Sequence, residues 1–211
     1  MNKSLFFTGF IEMAKRIIGG SLAAAVLMFV WGFLYWAVIA MMISPWHAIP
    51  KDGDHQVIAK LKEAFPEKGV YMYPWVDTSN GDQAGAAEEF EKSREAGPFV
   101  QIVFDPAGVP ASDMGKIMGM GFLHMFGSAL LCSLLLAVAE PLCCYRLRVC
   151  FVTGLGLFAS VWIGGSNLVW WHHPISHTVF MGGYTMGAWL LAGLVIGAIV
   201  RKPKDLVAIE S

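Results

Sequence analysis

The sequence predicts an α-helical membrane protein with four transmembrane helices and a small α+β extracytoplasmic domain inserted between helices 1 and 2. Three observations carry the prediction. Four windows, residues 17–43, 117–139, 149–171 and 177–200, contain no Asp, Glu, Lys or Arg. Each exceeds the roughly 20 residues that an α-helix needs to cross a hydrocarbon core. The short segments at alternate ends of these windows are basic, and the one long segment between windows is acidic and patterned like a folded domain.

The composition agrees. The 211 residues are 56% hydrophobic and only 15% charged, against roughly 25% charged in ordinary soluble domains. The mean hydropathy is +0.56. A formal net charge of −1 excludes a nucleic-acid binder driven by bulk positive charge. The apolar content excludes a disordered chain.

Orientation follows from the basic residues. Lys3, Lys15 and Arg16 precede the first window, Arg146 and Arg148 separate the second from the third, and Arg201, Lys202 and Lys204 follow the fourth. Four spans put these segments on one side, and the positive-inside rule makes that side cytoplasmic. The expected map is a cytoplasmic segment 1–16, a first span 17–43, an outer domain 44–116 and a second span 117–139. A cytoplasmic loop 140–148, a third span 149–171, an outer loop 172–176, a fourth span 177–200 and a cytoplasmic tail 201–211 complete it. The outer segment 44–116 holds 12 acids and 7 bases, and the inner segments 8 bases and 4 acids. The expected location is the bacterial inner membrane.

The first window is too long for the apolar core of a signal peptide, and no small-x-small site precedes Ser44-Pro45, so it reads as an uncleaved anchor. Before it, Phe6, Phe7, Phe10 and Ile11 mix with Lys15 and Arg16. That pattern suits either a helix along the cytoplasmic surface or a continuation of the first span.

The outer segment, about 70 residues, is too long for a structureless connection. Val57, Ile58, Leu61 and Phe65 recur at helical spacing, and Pro66 stops that helix. Gly69-Val70-Tyr71-Met72-Tyr73-Pro74-Trp75 reads as a strand. Residues 77–81 carry turn chemistry, 83–96 an Ala- and Glu-rich helix ended by Gly97-Pro98, and 99–104 a second strand closed by Asp105-Pro106-Ala107-Gly108. A helix between two strands permits a right-handed crossover and parallel pairing. Two strands make a marginal sheet, so the domain is expected to lean on other surfaces. It contains no phosphate-binding glycine loop, nucleophile elbow or His-x-x-x-His, and its acids Glu88, Glu89, Glu91 and Glu95 read as a solvated helix face.

All four cysteines, Cys132, Cys143, Cys144 and Cys150, belong to the inner half of this map, so no disulfide staples the outer domain. Cys143-Cys144 beside Arg146 reads as a reduced pair, a lipidation site or a ligand pair.

The histidines concentrate possible chemistry. His47 follows the first span, His172 and His173 close the third, His177 opens the fourth, and His124 lies about 10 Å into the second at 1.5 Å per residue. Met118, Met120 and Met125 surround His124, Met114 precedes them and Met181 enters the fourth span. Met120 and His124 share a helix face. Imidazole with thioether is a donor set that suits Cu(I), so His47, His124, His172, His173, His177 and Met120 are candidate copper ligands. The competing reading is structural: Trp46, Trp170 and Trp171 with the histidines form an interfacial belt, and methionine fills gaps between helices. Gly115-x-x-x-Gly119, Gly183-x-x-x-Gly187 and Gly193-x-x-x-Gly197 predict close helix contacts within the bundle or with another protein.

Phe29-Val30-Trp31-Gly32, Pro45-Trp46-His47, Gly69-Val70-Tyr71, Gly97-Pro98-Phe99 and the run from Trp189 to Gly197 together resemble a group of bacterial four-helix inner-membrane proteins with a small periplasmic domain. The resemblance implies the architecture and brings no activity, cofactor or catalytic residue. The expected function is a non-enzymatic accessory or interaction subunit of a larger membrane assembly. It would contact the lipid bilayer and reach a protein partner through the outer domain or the glycine-rich helix faces. The alternatives are a copper-binding or copper-handling protein and, third, a membrane enzyme using interfacial histidines for acid–base chemistry.

Overall fold

A computed structural model describes residues 3–49, 54–76, 83–139 and 144–201. The protein is mostly helical (77%), with four helices long and apolar enough to span a membrane and a small two-stranded sheet. The chain divides into two compact units, Met1–Trp46 with Ser112–Ser211, and His47–Ala111.

The first unit is a four-helix bundle. Helix α1 (Lys3–Leu34) is continuous through the region that allowed either a surface helix or a longer span, so the aromatic N-terminal stretch belongs to the same helix as the first window. A π-helical segment, Tyr35–Ile39, and a last α turn, Ala40–Ile43, extend it. The remaining long helices are α4 (Met114–Val138), α5 (Tyr145–Val169) and α6 (Ile175–Ile199). Helix α6 packs against both α5 and α1, α1 packs against α4, and α4 barely touches α5. The bundle is therefore an open row, α4–α1–α6–α5.

Its packing inverts the soluble pattern. The interior is built mainly from small or β-branched residues: Ala24, Ala129, Val152, Ala192 and Ile196 are fully buried. Large apolar side chains face outward, including Phe33, Leu131, Val161 and Val179, each 60% exposed or more. Small residues allow close backbone approach, which drives helix association where the surroundings are as apolar as the side chains.

Helix α6 carries two glycine pairs on opposite sides. A Cβ on Gly187 would stand 2.9 Å from Trp31 Nε1 and closer to the ring carbons, and one on Gly183 would meet the Tyr35 hydroxyl at 3.2 Å. These two serve the α1 contact. Gly193 and Gly197 serve α5, where added Cβ atoms would stand 3.2 Å from the Val149 carbonyl oxygen and the Val149 nitrogen, respectively. Gly115 and Gly119 have open space around them.

Few polar bonds tie the helices. The hydroxyls of Ser21 and Ser133 are buried and 2.9 Å apart, joining α1 to α4. Carbonyls at the C-terminal end of α6 receive Arg148 Nε (2.8 Å, to Gly197) and Tyr145 Oη (3.2 Å, to Leu194). Arg16 Nη1 adds a bond to the Arg201 carbonyl just past the helix (3.0 Å). The last turn of a helix leaves carbonyls unpaired and negative, so both arginines complement it in hydrogen bonding and charge.

The second unit contains α2 (Asp54–Ala64), β1 (Gly69–Tyr73), α3 (Gln83–Ala96) and β2 (Val100–Phe104). The element order follows the sequence pattern, but the strands pair antiparallel, with Gly69 opposite Phe104 and Tyr73 opposite Val100. The parallel crossover that this order permits is thus not the one adopted. A crossover needs the connecting helix to run back along the sheet. Here β2 begins beside the end of β1, so the chain between them comes back to the end of the sheet it left. That return gives an antiparallel ladder, the slightly stronger pairing per residue.

Gly97 ends α3 in the left-handed conformation (φ 66°), its amide donating to the Ser93 carbonyl at 3.0 Å. After β2, Asp105 Oδ1 accepts the Ala107 amide at 3.1 Å, and Gly108 takes φ 70°. The turn assigned to 77–81, the end of the connector at 50–53, Cys143 and the tail 202–211 lie outside the described residues.

Candidate functional site

Three features of the described residues are candidates for chemistry or recognition: an aromatic seam between α1 and α6, the histidine turn between α5 and α6, and one face of the outer sheet.

The seam follows from helical spacing. Trp31 and Tyr35 are four apart on α1 and its π extension, as are Phe180 and Tyr184 on α6, so each pair shares a face. Trp31 Nε1 donates to the Tyr184 carbonyl (2.9 Å), and the Tyr35 hydroxyl donates to the Phe180 carbonyl (2.6 Å). The rings are in contact: Tyr35 lies 5.1 Å from Phe180 and 5.4 Å from both Trp31 and Tyr184 between centroids. Trp36 continues the cluster and stacks on Trp46 at 5.2 Å. The π-helical segment begins at Tyr35. Such widened turns recur at functional sites, and this one sits where the aromatic side chains converge. Taken singly, these residues are ordinary members of apolar windows. The signal in the sequence is an aromatic pair at i and i+4 in each of two windows, with polar tips on Trp31, Tyr35 and Tyr184.

The histidine turn has unusual backbone. Helix α5 ends at Val169, and His172 has φ 53°, in the left-handed region that L-residues rarely enter. The His173 amide then folds back to donate to the Asn167 carbonyl at 3.0 Å. Pro174 caps α6 without a side-chain bond, and His177 sits in its first turn. The consequence is contact between two imidazoles distant from each other on an extended chain: the His173 and His177 rings are 5.2 Å apart, inclined at 77°.

The other candidate ligands are placed differently. His124 and Met120 are both exposed on α4. His47 belongs to the second unit. Among the described residues, no three His, Cys, Asp or Glu side chains gather around one point. Cys132 is buried, while Cys144 and Cys150 are exposed, and all three are free thiols.

In the outer unit, strand alternation sorts the side chains. Tyr71, Ile102 and Phe104 share one face of the sheet, where Phe65 stacks on Tyr71 (4.1 Å) and meets Phe104 edge-on (5.9 Å). Val70 and Val103, directly opposite each other in the register, stand on the other face, 64% and 82% exposed. Lys68 Nζ and an Asp105 carboxylate oxygen, 2.8 Å apart, clamp the open end of the ladder. The ammonium hydrogen bond to Asp105 holds that carboxyl below its ordinary 3.8, helped by the Ala107 amide, and the same contact raises Lys68 above 10.5.

No protein-family model, curated protein or solved structure matches the chain.

Proposed function

We propose that the protein is a non-enzymatic accessory subunit of a larger membrane assembly, held in a bacterial inner membrane with both termini inside. Its outer unit docks a protein partner. The observation that carries this reading is the outer unit's incomplete core. Its sheet has two strands, and Val57, Ile58, Val70 and Val103 remain exposed. An isolated two-stranded sheet is at best marginal in water, and apolar residues left out on both sheet and helix gain stability when a partner covers them.

The placement of basic residues on α1, α5 and the end of α6 supports the orientation. Arg16, Arg148 and Arg201 meet at one end of the bundle, the charge bias of a cytoplasmic face. The outward faces of the four long helices supply the lipid contact.

The test is native sizing after mild solubilisation, comparing wild type with Val70→Asp/Val103→Asp. The expected result is that wild type runs within a larger assembly and the double variant runs as the free chain. A wild type that already runs as the free chain, or a variant that assembles equally well, contradicts the reading.

A further inference from the structure

We propose that His173 and His177, with the thioether of Met181, form a Cu(I)-binding site at the turn joining α5 and α6. The proposal does not depend on the docking role of the outer unit.

Geometry comes first. With a metal–nitrogen bond of about 2.0 Å, an imidazole centre stands about 3 Å from a bound ion, and two rings at a trigonal or tetrahedral angle have centres about 5 to 5.5 Å apart. The His173 and His177 centres are 5.2 Å apart, with the ring planes steeply inclined. The pair already has the spacing of two ligands on one ion.

The backbone that produces this spacing is strained. His172 takes φ 53°, and the His173 amide is drawn back over the end of α5 to Asn167. A non-glycine residue in the left-handed region carries a steric cost. The same turn with a glycine would avoid that cost, so the surroundings hold it in place.

Donor type and charge then select the ion. Met181 follows His177 by four residues on α6 and so lies on the same face one turn further along. It is half-buried against Tyr35, Ala40 and Phe180. Two imidazoles and a thioether form a soft, low-coordinate set that favours Cu(I) over harder ions. The site also sits on the first turn of α6, whose positive end repels cations. A monovalent ion meets half the repulsion that a divalent one does. No carboxylate contributes to a three-ligand cluster there among the described residues, so Zn(II) lacks both charge balance and a third hard ligand. Binding involves no electron transfer.

The experiment is competitive titration with Cu(I) against a chromophoric Cu(I) chelator. It uses the full-length protein in detergent with its four cysteines changed to alanine, because thiolates compete for this ion. The expected result is one Cu(I) per chain. His173→Ala and His177→Ala should each weaken binding by about tenfold or more, since even outer partners of metal ligands are worth 10- to 100-fold. Met181→Leu should weaken it as well, and His124→Ala should leave it unchanged. X-ray absorption fine structure of the loaded protein should show two imidazole nitrogens and one sulfur, a reading that needs no further variant. Failure to compete with the chelator, unchanged affinity in both histidine variants, or a copper shell without imidazole overturns the proposal. A wild type that runs as the free chain in the sizing experiment, with Cu(I) binding intact, refutes the subunit reading alone.

Discussion

Replacing Gly187 with alanine tests the aromatic seam at its tightest point. The new Cβ would lie 2.5 Å from Trp31 Cε2 and 2.9 Å from Nε1. Carbon atoms pack best at about 3.5 to 4.0 Å, so the indole must retreat by about 1 Å. Retreat breaks the bond from Trp31 Nε1 to the Tyr184 carbonyl and presses on Tyr35, whose ring is 5.4 Å away. Overpacking of this kind costs about 1–3 kcal/mol, and an interhelical hydrogen bond in a membrane bundle is worth about 0.6 kcal/mol, at most about 1.7. The expected loss is therefore about 2–4 kcal/mol. The assay is reversible unfolding in mixed micelles by a denaturing detergent, followed by tryptophan fluorescence and circular dichroism. Gly127→Ala is the control, since a Cβ there meets nothing within 4 Å. Helix propensity should make it neutral or slightly favourable. Combining Gly187→Ala with Trp31→Ala should recover most of the Gly187→Ala cost, because the clash partner is gone. A Gly187→Ala protein within about 0.5 kcal/mol of wild type would refute the reasoning.

Three further outcomes follow from other contacts. Ser21→Ala and Ser133→Ala should each cost about 0.6–1.7 kcal/mol in the same assay, and the double variant should cost less than the sum because one bond joins the two hydroxyls. His172→Gly should stabilise the bundle by up to about 1 kcal/mol, while the β-branched His172→Val should destabilise it, because φ 53° favours glycine. In the outer unit, the Asp105 carboxyl lies below its ordinary value, so its contribution is present above pH 3.8 and disappears as acid protonates it at lower pH. Lys68, held above 10.5, contributes fully below that pH and loses its contribution as pH rises past its folded value. Hydrogen exchange of residues 69–104 in the full chain should show extra opening below pH 3.8, and Asp105→Asn should remove that pH dependence.

The helical architecture was legible because charge and hydropathy act over whole segments. A single Lys or Glu inside 17–43 or 149–171 would have broken the pattern, and none occurs. The two strands were legible for a similar reason, since Gly69–Tyr73 and Val100–Phe104 are short apolar runs bounded by Gly and Pro. Their direction was not. Parallel or antiparallel pairing depends on which end of β1 the chain returns to after α3, and the Ala- and Glu-rich sequence of that helix does not encode the choice. The seam was missed because Trp31, Tyr35 and Tyr184 are ordinary span residues taken singly. Their importance arises from the 2.6 and 2.9 Å bonds made across two helices. The approach of His173 and His177 depends on one φ angle at His172, which composition does not specify.

The central claim is that the outer unit presents its open sheet face outside the membrane and that a partner covers it there. The direct measurement is the labelling rate of Val103→Cys by a membrane-impermeant maleimide, in a chain whose native cysteines are alanine. It compares intact cells opened only at the outer membrane with detergent-purified protein. Val103 is 82% exposed in the isolated chain. The account predicts fast labelling of the purified protein and slow labelling in the native membrane, rising when Val70→Asp is added to disrupt docking. Equal, fast labelling in both settings would contradict the covering partner, and labelling only after the inner membrane is breached would contradict the orientation.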